Sequence, residues 1–187
     1  MKKWTFALAL GAMVCVGGGA YAQIDNNMQV IAQQGEWAAM SYAPVLTDPP
    51  TVCIGGANPQ SGTGLALRVD NQGDIDIRAF NSSWSLPANA SGNITIVVDA
   101  HTHTYPAAAT SVSAIDASIT QDQLTTLVGE LETGNSMQIK VGSGAPTTIS
   151  LDGSQSVLTA FMTCAGIDNP SKNTGGSNPF ASSNSSN

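Results

Sequence analysis

The stretch Ile119–Cys164, ITQDQLTTLVGELETGNSMQIKVGSGAPTTISLDGSQSVLTAFMTC, decides how this chain folds. Thr120 and Gln123 stand at capping-box spacing: the Thr hydroxyl accepts from the Gln123 backbone N–H, and the Gln123 side chain reaches back to the Thr120 N–H. Ile119 before the cap and Leu124 beyond it are placed for a hydrophobic staple. Leu124, Leu127, Val128 and Leu131 then recur at i, i+3, i+4 and i+7, so one helix face is apolar. Gly129 inside this helix costs on the order of 1 kcal/mol relative to Ala, so the helix depends on packing that face. Gly134 is expected to stop it in a positive-φ conformation.

Beyond the stop, Met137, Ile139 and Val141 alternate with Gln138 and Lys140, the period of a half-buried strand. Gly142-Ser143-Gly144 supplies a turn, and Thr147, Ile149 and Leu151 alternate on the return. Asp152 followed by Gln155 predicts a second helix start. Along that helix Val157, Leu158, Phe161 and Cys164 share a face, so the cysteine should point inward.

Upstream, the pattern is one of strands. Trp37 to Tyr42 reads as a strand, followed by a Pro-rich connection over Pro44 to Pro50. Val52-Cys53-Ile54 reads as another, ended by Gly55-Gly56. Leu65, Leu67 and Val69 alternate with Ala66 and Arg68. After Asn71-Gln72-Gly73, Ile75 and Ile77 alternate with Asp74 and Asp76, which is a hairpin signal. A further strand runs from Asn93 to Asp99, and a turn near Ala100-His101 sends His103 to Tyr105 back beside it. The expected fold class is α+β: a mainly antiparallel sheet, sandwich-like or a partly open barrel, with two helices packed on it.

The 187 residues suffice for one domain once the ends are set aside. Residues 1–22 read as a signal peptide, with Lys2 and Lys3 in the positive region, an apolar run, and Ala20-Tyr21-Ala22 as the cleavage site. Cys15 falls inside it. Residues 23–35 are Gln/Asn-rich and read as a flexible leader, 36–168 as a single β-rich domain, and 169–187 as a disordered Asn/Ser-rich tail. The mature chain has no run long enough to span a membrane. The expected location is the periplasm of a bacterium or the medium outside it.

Cys53 and Cys164 form an even pair in an oxidising compartment and are expected to be joined. Such a bond closes a loop of roughly a hundred residues, for which chain entropy predicts about 4–5 kcal/mol. The chain carries 13 carboxylates against 6 strong bases, and the signal peptide holds two of those bases. An acidic chain with only Arg68, Arg78, Lys140 and Lys172 left cannot present the basic patch that nucleic acid or an anionic membrane requires.

Asp99, His101 and His103 are the candidate metal ligands, since on one continuous strand all three would project from one face. The competing reading breaks the strand at Asp99-Ala100 and leaves two turn histidines. Asp70, Asp74 and Asp76 invite a calcium reading, but the spacing is not that of an EF-hand, and a wet hairpin face explains them equally. No nucleophile elbow, phosphate loop or Cys–His pair is present, so the chain is expected not to be an enzyme and to need no cofactor. Glu130 and Glu132 lie two apart on a helix, hence on different faces. Trp84 and Pro87 are candidate binding residues, because Pro87 stiffens the Ser85–Gly92 segment.

Several of these residues together resemble exported bacterial proteins of the invasion-associated locus B type. Trp37 precedes Cys53 and a run of strands. The strand Ile94–Asp99, the helix with its Gly134 stop, the strand from Met137, and the close Ile149-Ser-Leu-Asp-Gly-Ser154 through Val157-Leu-Thr-Ala-Phe161 to Cys164 follow. The resemblance covers most of Glu36 to Gly166, rests on fold-setting residues, and implies a periplasmic or surface protein that works by binding. The expectation is therefore a non-catalytic binding protein whose partner is another protein or a surface ligand. A secreted enzyme inhibitor or immunity-type protein, and a periplasmic metal-binding protein using His101 and His103, are the alternatives.

Overall fold

The computed structural model describes residues 27–44 and 48–167. The expected signal peptide and Asn/Ser-rich tail lie outside the described residues. Before the first helix come eight strands: β1 Met28–Gln34, β2 Trp37–Tyr42, β3 Val52–Ala57, β4 Gly64–Asp70, β5 Ile75–Phe80, β6 Ser91–Val98, β7 His101–Ser111 and β8 Ala114–Ser118. Helix α1 Gln121–Thr133, strands β9 Ser136–Val141 and β10 Thr147–Ser150, and helix α2 Ser154–Ala165 complete the fold. The strands form one antiparallel sheet in the order β1-β2-β3-β4-β5-β8-β7-β6-β9-β10. The fold is α+β, as the pattern predicts.

Alternation does most of the work. In β2 the buried residues are Trp37, Ala39 and Ser41, in β3 Cys53, Gly55 and Ala57, and in β5 Ile75, Ile77 and Ala79. These inward faces surround one core with both helices. α1 contributes Leu124, Leu127, Val128 and Leu131, and α2 contributes Val157, Leu158, Phe161 and Met162, all eight at 0% exposure. At roughly 1.5–3 kcal/mol per buried large apolar side chain, these two faces outweigh the modest helix propensity of either segment.

The sheet is open but curled. Its two ends approach through side chains: the Trp37 indole N–H donates to the Ser150 carbonyl at 2.8 Å, and the Thr63 N–H donates to the Thr147 hydroxyl at 2.9 Å. Helix α2 packs across β1, β2 and β3 and beside α1. A disulfide between Cys53 of β3 and Cys164 of α2 fixes this arrangement, with Cα atoms 6.0 Å apart and a sequence separation of 111.

Three expectations are corrected. The segment read as a flexible leader supplies β1, paired with β2 from Met28↔Tyr42 to Gln34↔Trp37. Its period is hidden because the register shifts between Val30 and Ala32, and such a bulge inserts a residue that breaks the in/out alternation. Gly134 does cap α1, but at φ −74° rather than at positive φ. It is glycine for lack of room: a Cβ there would lie 2.7 Å from Cγ1 of Val98 and 2.9 Å from Cδ1 of Leu151. The second helix is entered at Gly153, in the left-handed region at φ 88°, without a side-chain cap from Asp152. Ser154, almost fully buried, instead ties the entry down by donating to the carbonyls of Leu131 and Leu151, both at 2.7 Å.

The capping box of α1 is present as expected, with both reciprocal hydrogen bonds formed.

Candidate functional site

The polar candidates divide at the β6–β7 turn. Asp99 sits in that turn at φ 49°, a left-handed conformation that a short polar side chain tolerates. Its carboxylate accepts from the backbone N–H groups of Asn135 at 3.2 Å and Ser136 at 3.3 Å. Asp99 therefore caps the start of β9, and the structure does not bring it together with His101 and His103. The strand is broken at Asp99-Ala100, as the competing reading held, but both histidines lie on β7 and not in the turn where that reading put them.

The two histidines share a face of β7 and meet a different carboxylate, Glu130 of α1. His103 Nε2 lies 2.6 Å from Glu130 Oε2, and His101 Nδ1 lies 3.4 Å from Glu130 Oε1. His103 also stacks on Tyr105, two residues along, with centroids 6.2 Å apart and planes 4° apart. Burial first, and then the Glu130 charge, raise the Tyr105 phenol above its ordinary pKa. A shallow recess of about 360 Å³ between β7 and α1 is lined by His103, Tyr105, Asp122, Gln123 and Thr126. Sequence spacing missed the Glu130 partner because helix and strand meet only through tertiary packing. Among the described residues no group of three His, Cys, Asp or Glu side chains could hold a metal ion.

The other acidic candidates are engaged with neighbours. Arg68 donates to Asp76 at 2.8 Å and to Asp70 at 2.9 Å, while the other Asp70 oxygen accepts from the backbone N–H groups of Gln72 and Asp74. Arg78 makes a two-pronged pair with Asp116 on β8, both contacts at 2.7 Å. That hydrogen bond holds the Arg78 guanidinium pKa above its ordinary value despite burial. Glu132 is buried and accepts from the Thr159 hydroxyl, facing away from the histidines.

Trp84 is half-buried and packs against the core, and Leu86 beside it does the same. Pro87 is exposed at the crest of the segment. The segment is pinned at both sides: Leu86 N–H donates to the Val112 carbonyl, and the Ala90 carbonyl accepts from the Ala109 N–H, both at 2.8 Å.

A surface that none of these candidates includes lies on the outward face of the first strands. Cross-strand register places Val30, Met40 and Ile54 in one row, and Met28, Tyr42 and Val52 in the next. All six face away from the core and are half-buried or exposed, with Val30 at 40%. The same rows continue into charge on the next strands, Ile54 opposite Arg68 and then Asp76, Val52 opposite Asp70. An apolar quarter thus adjoins a polar one on a single sheet face. β1 is also the sheet's edge, and it carries no charged residue and no proline among Met28–Gln34. The signal in the sequence was there: Val52-Cys53-Ile54 and, apart from Ser41, Trp37–Tyr42 are apolar at outward and inward positions alike, unlike the two strands that follow.

No family model and no curated protein matches this chain. In structure it is similar to invasion associated protein b from Bartonella henselae: a crystal structure of that protein matches over 72% of this chain and 96% of its own, at 11% identity and a TM-score of 0.43.

Proposed function

We propose that this protein acts outside the cytosol as a non-catalytic binding protein, and that it binds through the outward face of β1–β3. The apolar rows Val30–Met40–Ile54 and Met28–Tyr42–Val52 carry this reading. Apolar side chains left partly open to solvent and gathered on one face, beside a polar rim, are a usual mark of an interaction site. The Cys53–Cys164 disulfide supports the location, because such bonds persist in oxidising compartments. The His–Glu contact between β7 and α1 joins strand to helix and is assigned no chemistry.

Photo-crosslinking in the producing cell tests this reading. A benzoylphenylalanine at Met40 is expected to trap a reproducible adduct, and the same probe at Lys140, an exposed residue of β9, is not. Equal adducts from both positions, or none from Met40, would overturn it.

One observation favours a second reading, an enzyme inhibitor. The Ser85–Gly92 segment is held by backbone bonds on both flanks and presents Pro87 outward, the form of a preorganised inhibitory loop. A benzoylphenylalanine at Ala88 that trapped a single enzyme would favour it.

A further inference from the structure

The charge beside the apolar rows narrows what can cover them. On β4, β5, β8 and the β4–β5 turn, Asp70, Asp74, Asp76 and Asp116 stand around Arg68 and Arg78, four carboxylates to two guanidinium groups. Arg68 is held by Asp70 and Asp76 at 2.9 and 2.8 Å, so those two share one positive charge. Asp74 is exposed at the turn and, with Asp76, Gly73 and Ser118, lines a shallow recess. The negative excess is local, and it begins where the apolar rows end.

Resting on the binding role proposed above, we infer that this face takes a cationic amphipathic helix of a partner, its apolar side over Val30, Met40 and Ile54 and its lysine- or arginine-rich end over Asp70, Asp74 and Asp76. The dimensions agree. Strands spaced about 4.8 Å apart put β5 about 19 Å from β1, the length of a helix of about 13 residues at 1.5 Å rise. A helix-in-groove mode supplies apolar anchors at i, i+3, i+4 and i+7, while opposite charge steers the encounter and sets direction.

Two other occupants fit less well. A second copy would bring the same carboxylate excess against this one. Edge-to-edge pairing along β1 would leave this face uncovered, and the register shift at Val30/Ala32 interrupts that edge. An anionic membrane would be repelled by the acidic rim.

The test uses residues 23–187 and a fluorescein-labelled 14-residue peptide, LAALLAALLKKAKK, with an apolar leucine stripe and a lysine-rich end, read by fluorescence anisotropy. The expected result is saturable one-to-one binding that weakens about tenfold or more in Met40→Lys and in Asp74→Lys, and again when salt shortens the Debye length from about 10 to about 3 Å. A peptide of the same charge with glycine in place of leucine is expected not to bind. Thermal melts of both variants separate lost binding from lost folding. No binding, binding equal for the glycine peptide, or binding indifferent to Met40→Lys in folded protein overturns the inference. So does sedimentation showing that the chain self-associates through this face and so excludes the peptide. If the peptide fails while the Met40 crosslinker still traps an adduct, the partner's chemistry is wrong and the binding face stands.

Discussion

The Cβ position of Gly55 lies 2.7 Å from Cγ of Phe161, so helix α2 rests on β3 with no space for a methyl group between them. Phe161 is fully buried, and the backbone on either side is fixed by the sheet and by the disulfide two residues away at Cys53. Gly55→Ala is therefore an overpacking change and should cost about 1–3 kcal/mol. Urea unfolding of the purified protein measures it. Phe161→Leu should cost less in the Gly55→Ala background than alone, because the shortened side chain makes the room the methyl needs. Additive losses would show that the two residues do not compete for the same space.

Replacing both Cys53 and Cys164 with Ala should lower stability by about 2–5 kcal/mol, because the bond joins residues 111 apart in the unfolded chain. The shift should match that of the native protein on adding reductant. A variant as stable as the oxidised wild type would mean that α2 is held by its apolar face alone.

Trp37→Phe keeps most of the buried ring and removes the donor to the Ser150 carbonyl. A loss of about 1 kcal/mol is expected, with larger losses in hydrogen-exchange protection at β10 than at β5. Uniform loss across the sheet would show that this bond does not specifically hold the curled end.

Asp116→Ala leaves the Arg78 guanidinium half-buried without its two-pronged partner, and should cost about 1.5–3 kcal/mol. Adding Arg78→Ala should restore part of that loss, giving a positive coupling in a double-mutant cycle. Zero coupling would reduce the pair to an incidental surface contact.

Tyr105 titrates above its ordinary value in the fold, through burial and the nearby Glu130 charge. The folded state thus keeps the phenolic proton at a pH where the unfolded chain has released it. The stability this contributes is complete below the unfolded pKa, about 10, and is lost as pH rises through the higher folded value. Denaturant melts between pH 8 and pH 11.5 should show stability falling more steeply for wild type than for Tyr105→Phe. Identical slopes would place the alkaline sensitivity elsewhere.

What could be read before the structure was mostly what is local. The capping box of Thr120 and Gln123, the apolar stripe from Leu124 to Leu131 and the inward Cys164 depend on near neighbours, and all are found as expected. β1 was missed because one extra residue at a bulge erases the two-residue period on which strand recognition rests. Gly134 was expected at positive φ but is crowded by Val98 and Leu151, contacts remote in sequence, and the positive φ falls instead at Gly153, beside the helix start expected at Asp152. In the polar cluster, His101 and His103 could be singled out as a pair, but Glu130 could not, because only the packing of α1 on β7 joins them. The outward apolar rows lay in plain view as strands lacking alternation, yet their meaning depends on register across three strands.

The covalent link ties a residue near the beginning of the domain to its final helix. A chain synthesised from its amino end therefore presents the thiol of Cys53 long before its mate arrives. Until then it could be captured by a foreign thiol, and β1–β3 would lack the helix that covers their inner face. The ring cannot close before the residues of α2 have been made, so the inner face of β3 waits for the last element of the described fold.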